Sequence, residues 1–325
     1  MRLSQLARLS ISVACMAVSG LTFGQTKWDL ASGYPPGNFH TENLEQFTKD
    51  VDAATQGKLK ITLHSNASLF KLPEIKRAVQ GGQAQAGEIL LAAYENENAL
   101  FGMDGVPFLA TSYADAKKLQ SVQLPALDKY LAEQGIKVLY TVPWQPQGIY
   151  SKKPLTSVAD MKGMKWRSYS PSTAKMAELM QLQPVTVQAA ELSQALATGI
   201  VESYISSSAT GIDSKTYESL KYFYETQAWI PKNAVLVSLK AFNALDKATQ
   251  DAVLKAAAEA QVRGWKISED KEAIFKQTLR DRGMTVEAPS ATFAADLNKV
   301  GGVMLGDWEK KMGADGAALI SAYKK

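Results

Sequence analysis

A two-domain α/β fold with largely parallel sheets is predicted by three observations. Strand and helix patterns alternate from Lys27 to Ile205, which is the rhythm of parallel strands joined by helical crossovers. At 325 residues the chain is long enough for two cores. The alternation then stops at Lys247, and a helical pattern runs unbroken to Arg282. A helix of about 36 residues would be about 54 Å long, more than one small domain needs.

Each element has a local reason. Lys27–Ala31 is a short strand that runs into the loop Tyr34-Pro35-Pro36-Gly37. Leu44, Phe47, Val51 and Ala54 fall on one helical face, and Gly57 stands where that helix ends. Leu59, Ile61 and Leu63 alternate with polar residues as a strand. Pro73 suits the first turn of the next helix, which Gly81-Gly82 stops. Ala84–Leu91 is a strand, Ala114–Gln134 a helix in two pieces, and Ile136–Val142 a strand. Ser157 and Asp160 form a capping box. Met164–Tyr169, Val185–Val187 and Val201–Ile205 read as strands, with helices at Ser172–Met180 and Ala190–Thr198 between them. The long helix follows, with a kink expected near Gly264, and a final helix spans Ala291–Met312.

The first 24 residues read as a cleaved signal peptide: Arg2 and Arg8, an uncharged stretch Leu9–Phe23, and a small-residue site at Thr22-Phe23-Gly24. Export to the periplasm is expected, with lipidation at Cys15 a minor alternative because Ser12 occupies the place of an aliphatic residue. Beyond the leader the chain has no cysteine, hence no disulfide and no thiol nucleophile. Its charge there is close to balanced, 34 basic against 32 acidic residues once Arg2 and Arg8 are set aside from 36. No basic stripe marks a nucleic-acid partner, and no motif marks a cofactor or metal. The two histidines, His40 and His64, read as surface or capping residues.

Binding features are better marked than catalytic ones. Arg167 falls inside a strand pattern, and a guanidinium holds a carboxylate through two parallel bonds. Pairing with an internal acid is the alternative. Tyr169 shares its face of the strand. Trp144 and Gln147 follow the strand Ile136–Val142, and Ser206 follows Val201–Ile205, which puts them beyond strand carboxyl ends where open α/β sheets bind ligands. Glu88 is a charge within an apolar strand, either a ligand contact or the partner of an internal cation. Asn233 lies in the stretch Pro231–Val235, read with Val142–Trp144 as a hinge.

Ser157-Val158-Ala159-Asp160-Met161-Lys162-Gly163-Met164-Lys165-Trp166-Arg167 resembles the "D-(L/M)-K-G-x-K-x-R" segment of solute-binding proteins of TRAP (tripartite ATP-independent periplasmic) transporters. Gln56–Ile61, Ser68-Leu69, Glu74–Gly82, Val106-Pro107-Phe108-Leu109 and the stretches at Glu191-Leu192 and Ala195–Glu202 resemble further segments in the same order. The resemblance implies a Venus-flytrap fold of two closing domains, 25–143 with 232–270 and 144–231 with 271–325, crossed by the long helix. It implies no enzymatic activity and no cofactor. It makes Arg167 the carboxylate grip and a sodium-driven membrane permease the partner of a monomeric receptor. Where sialic acid-binding members carry a second arginine and an asparagine, this chain has Gln147 and Ser206. Together with Trp144, Tyr150, Trp166, Tyr169 and Trp229, this suggests an aromatic, 2-oxo or 2-hydroxy monocarboxylate such as benzoylformate, mandelate or benzoate. A sugar acid, and an exported hydrolase or lyase, are the alternatives.

Overall fold

The computed structural model describes residues 25–325; the expected signal peptide, with Cys15, lies outside the described residues. Two sheets organise the chain. The first contains β1 (Thr26–Ala31), β2 (Leu59–His64), β3 (Ala86–Leu90), β4 (Ile136–Pro143) and β10 (Lys232–Ser238), in the order β2-β1-β3-β10-β4. The second contains β5 (Gly148–Ser151), β6 (Lys165–Ser168), β7 (Gln183–Thr186), β8 (Ser203–Ser206), β9 (Tyr222–Tyr224) and β11 (Thr285–Glu287), in the order β11-β9-β5-β8-β6-β7.

The sheets are mixed rather than largely parallel. β10 is antiparallel to β3 and β4, and β5 is antiparallel to β8 and β9. Both are the strands with which the chain enters one sheet directly from the other. β4 ends at Pro143 and β5 begins five residues on; β9 ends at Tyr224 and β10 begins at Lys232. A strand that starts at the gap between sheets must run away from it, against strands that end there. The other strands therefore point their carboxyl ends into that gap, where ligands collect in open α/β sheets.

In the second sheet, period-two alternation feeds two cores. Ile149, Trp166, Ile205 and Tyr224 face one, while Tyr150, Tyr204 and Phe223 face the other. Tyr150 and Tyr204 stack with centroids 4.5 Å apart, an arrangement worth about 0.5–1.5 kcal/mol beyond burial. Gly211 lies against Tyr150, where a Cβ would sit 2.3 Å from the phenol oxygen; its absence lets that hydroxyl donate to the Ser207 carbonyl.

Helices α1 (Phe39–Ala54), α2 (Ile75–Gln80), α3 (Tyr113–Ala132) and α7 (Leu239–Asn243) accompany the first sheet, and α4 (Pro171–Leu179), α5 (Leu192–Ala197) and α6 (Ser208–Asp213) the second. α3 is one helix with Pro125 inside it, not two pieces. The long helix α8 (Lys247–Asp281) packs on α1 and β4 and on α6 and β11, so it touches both sheets. It spans 35 residues, about 52 Å, as one continuous helix. Gly264 is there for contact: a Cβ would meet Val142 Cγ2 at 2.5 Å and Asn43 Nδ2 at 2.8 Å. The last helix, α9 (Ala291–Lys324), breaks at Gly313 and resumes beyond the expected end at Met312. Its continuation buries Ile320 and Tyr323 with Met103, Val106 and Leu119.

Candidate functional site

A cavity of ≈ 170 Å³ opens at the carboxyl ends of the strands, lined from both sheets. Arg167, one residue before the end of β6, is buried within it. Its Nε donates to the Val187 carbonyl at 2.9 Å, which fixes the direction of the fork. Its guanidinium lies over the rings of Tyr169 at 5.0 Å and Tyr204 at 5.7 Å. No carboxylate among the described residues pairs with it. Burial pulls its pKa down, opposed by Tyr204, Tyr169 and Tyr34. The side chain still carries its charge, because guanidinium begins so far above neutrality. A buried cation in an open cavity, oriented but unneutralised, is a site for an anion.

Four other expected residues line the same cavity: Trp144, Gln147, Tyr169 and Ser206. Their bonds are largely to each other and to the backbone. Tyr169 Oη donates to Gln147 Oε1 at 3.2 Å, and Gln147 Nε2 donates to the Gln145 carbonyl at 2.8 Å. Ser206 Oγ donates to Thr210 Oγ1 at 2.9 Å. Burial raises the pKa of the Tyr169 phenol while Arg167 opposes it, so the hydroxyl stays protonated and keeps donating.

Glu88 and Asn233 stand behind the wall rather than in it. Asn233 Oδ1 accepts from Trp144 Nε1 at 2.9 Å and from Tyr34 Oη at 3.3 Å, and so sets the two aromatic rings of the first-sheet wall. Glu88 Oε2 accepts from Ser32 Oγ at 2.7 Å, and Oε1 lies 3.3 Å from His40 Nδ1. His40 is not a surface or capping residue. It is buried among Tyr34, Phe39 and Trp144 in the first turn of α1. His64 is partly exposed and pairs with Asp29. Of the five aromatics expected near a ligand, Tyr150, Trp166 and Trp229 belong to the second-sheet cores instead. Each has a buried partner: Trp166 Nε1 donates to the Thr173 carbonyl, for example.

Several cavity residues escaped the sequence reading, among them Tyr34, Ser193, Thr210 and Asp213. Tyr34 lies in the loop after β1, so the strand-end rule that marked Trp144 would have marked it. Asp213, the last residue of α6, had no local signal. It faces the open cleft, yet the surrounding protein pushes its carboxyl up to about 6 by desolvation, against a hydrogen bond from Asn38. Glu42 raises it further and Lys271 lowers it.

This arrangement suits the capture of a small anion: a concave site between two sheets with one buried cationic grip. Among the described residues no cluster could hold a metal ion, and no helix is long and apolar enough to cross a membrane. Residues 30–309 match the family described as bacterial extracellular solute-binding protein, family 7, and the chain belongs to it. It is a TRAP-type solute-binding receptor for a small carboxylate, not an enzyme, in a family of extracytoplasmic proteins that work with a membrane permease.

The chain is similar to an extracytoplasmic solute receptor of Bordetella pertussis that binds pyroglutamic acid, with 58% identity and a TM-score of 0.91 over 92% of this chain and 99% of that one. A second such receptor of the same organism is 44% identical, with a TM-score of 0.91 over 92% of this chain and 100% of that one. A marine metagenome TRAP solute-binding protein specific for pyroglutamate, solved with the co-purified ligand, is 43% identical, with a TM-score of 0.91 over 93% and 99% of the two chains.

Proposed function

We propose that this receptor captures pyroglutamate between the two sheets and delivers it to its permease. The observation that carries the reading is the buried, unneutralised Arg167 in the same cavity as Asp213. Pyroglutamate has one carboxylate, a ring N–H beside it and a ring carbonyl. The carboxylate pairs with Arg167 through two parallel bonds. The ring N–H requires an acceptor, and Asp213 supplies one. Tyr34 and Trp144 line the cavity with apolar surface for the ring, and Ser193 and Thr210 line it with hydroxyls for its polar edge. The domains drawn from the sequence, 25–143 with 232–270 and 144–231 with 271–325, close over the ligand by bending at Val142–Trp144 and Pro231–Val235.

The aromatic monocarboxylate reading keeps support from the rings of Tyr34, Trp144 and Tyr169. Benzoate and benzoylformate offer Asp213 no donor, which weakens the reading for those two, whereas mandelate has its hydroxyl. Calorimetry with pyroglutamate, benzoylformate, mandelate and benzoate separates the two. Pyroglutamate is expected to bind tightest. Arg167→Ala should weaken it by about 2–5 kcal/mol, roughly 30-fold or more, with the fold retained by circular dichroism. Tighter binding of an aromatic acid, or wild-type affinity in Arg167→Ala, would overturn the proposal.

A further inference from the structure

We propose that Asn38 is a clasp: it donates a hydrogen bond from the first sheet's layer to Asp213 of the second and holds the cleft shut over its ligand. The inference rests on the ligand site argued above and goes beyond it, because Asn38 does not line the cavity. Asn38 is buried at the N-cap of α1. The two ends of its amide do different work. Oδ1 accepts from the His40 backbone N–H at 2.8 Å and caps the helix. Nδ2 donates to Asp213 Oδ2 at 2.6 Å, joining residues 175 apart in the chain. That leaves Asp213 Oδ1 for the ring N–H of the ligand.

Helices α1 and α6 both pack along α8, so the long helix sets the track on which Asn38 and Asp213 meet. The charges facing Asp213 are Glu42 on α1 and Lys271 on α8, which themselves pair at 3.2 Å. From the sheet, Tyr150 on β5 and Tyr204 on β8 face it. With its pKa raised to about 6 by desolvation, Asp213 changes charge near neutral pH, and the clasp depends on that charge. A hydrogen bond to an ionised acceptor outweighs one to a neutral carboxyl.

Two substitutions test this while keeping the cap. Asn38→Ser retains a side-chain oxygen for the helix but loses the amide donor. Stopped-flow measurement should show pyroglutamate leaving roughly 10-fold faster, with thermal unfolding of the unliganded protein close to wild type. Asn38→Asp also caps, but sets a second carboxylate against Asp213. At pH 8 both are ionised and repel, so dissociation is faster still. At pH 5 the pair shares a proton, and dissociation returns toward the wild-type value. Equal dissociation from wild type and Asn38→Ser, or an Asn38→Asp defect of the same size at both pH values, overturns the clasp.

Failure of wild type to bind pyroglutamate would overturn the ligand reading instead. The clasp is then read without ligand, from spin labels at Ser68→Cys and Gln183→Cys. Both sites are exposed, Ser68 in the loop after β2 of the first sheet and Gln183 on β7 of the second, and residues 25–325 contain no cysteine of their own. In Asn38→Asp the label distances should shift to longer values at pH 8 and recover at pH 5. Distances identical to wild type at both pH values overturn it.

Discussion

The two walls of the cavity are built differently. The first-sheet wall is largely apolar and aromatic, with Tyr34, Leu72, Leu90 and Trp144 beside the amide of Asn66, and the polar atoms of Tyr34 and Trp144 are turned to Asn233. The second-sheet wall carries Arg167, Ser206, Thr210 and Asp213, and two of its charges face the cavity without an ionic partner. One wall measures shape and the other reads charge. Losses on the charged wall leave a ligand group unpaired in a dry site, whereas losses on the apolar wall remove only contact area.

The largest effect that would test this contrast is at Arg167. Arg167→Lys keeps the charge but replaces a fork by a point, and loses the stacking on Tyr169 and Tyr204. It should cost about 2 kcal/mol in calorimetry, most of what alanine costs. Asp213→Asn comes next, with an expected loss of about 1.5 kcal/mol and a flattened pH profile. In wild type the free carboxyl titrates at about 6, so affinity for a ligand N–H should rise between pH 5 and pH 8 as the acceptor ionises. Stability of the unliganded protein moves the other way. The folded-state pKa lies above the ordinary 3.8, so the folded chain holds an extra proton between the two values, and stability from this group falls as the pH rises from about 4 to about 6. Thermal unfolding with and without ligand across that range reads both signs.

The smallest effect belongs to the apolar wall. Trp144→Phe removes the Nε1–Asn233 bond and some contact area, and should cost about 1 kcal/mol of affinity. A loss at Trp144 larger than at Asp213 would reverse the division of labour.

Much of this site was legible because strand ends were legible. Arg167, Trp144, Gln147 and Ser206 each sit within two residues of a strand end or in the loop just past it, so local patterns placed them near one another before any packing was known. Asp213 was invisible because it ends a six-residue helix whose sequence, Ser-Ala-Thr-Gly-Ile-Asp, is ordinary loop composition. Glu88 and Asn233 were expected at the ligand and stand behind the cavity wall instead. A charge in an apolar strand shows only that a partner exists, and Ser32 and His40 come from another part of the chain. Strand direction was illegible for a similar reason. β5 and β10 carry the same kinds of residue as their neighbours, and only the passage of the chain between sheets reverses them. β9 and β11, three residues each, are too short for any periodicity.

That passage between sheets has a consequence for how the protein is made. β4 and β3 gain β10 as their common neighbour only after residue 232, when every strand of the second sheet except β11 has already been synthesised. Until then β4 has no partner, and the first sheet exists only as β2-β1-β3. Neither sheet can be finished from one continuous stretch of chain, so the halves cannot mature one after the other as beads on a string. Pairing at this sequence separation is slow to find, and it leaves an open edge in the meantime. The interleaving of the two sheets therefore ties completion of the first sheet to near-complete synthesis of the second.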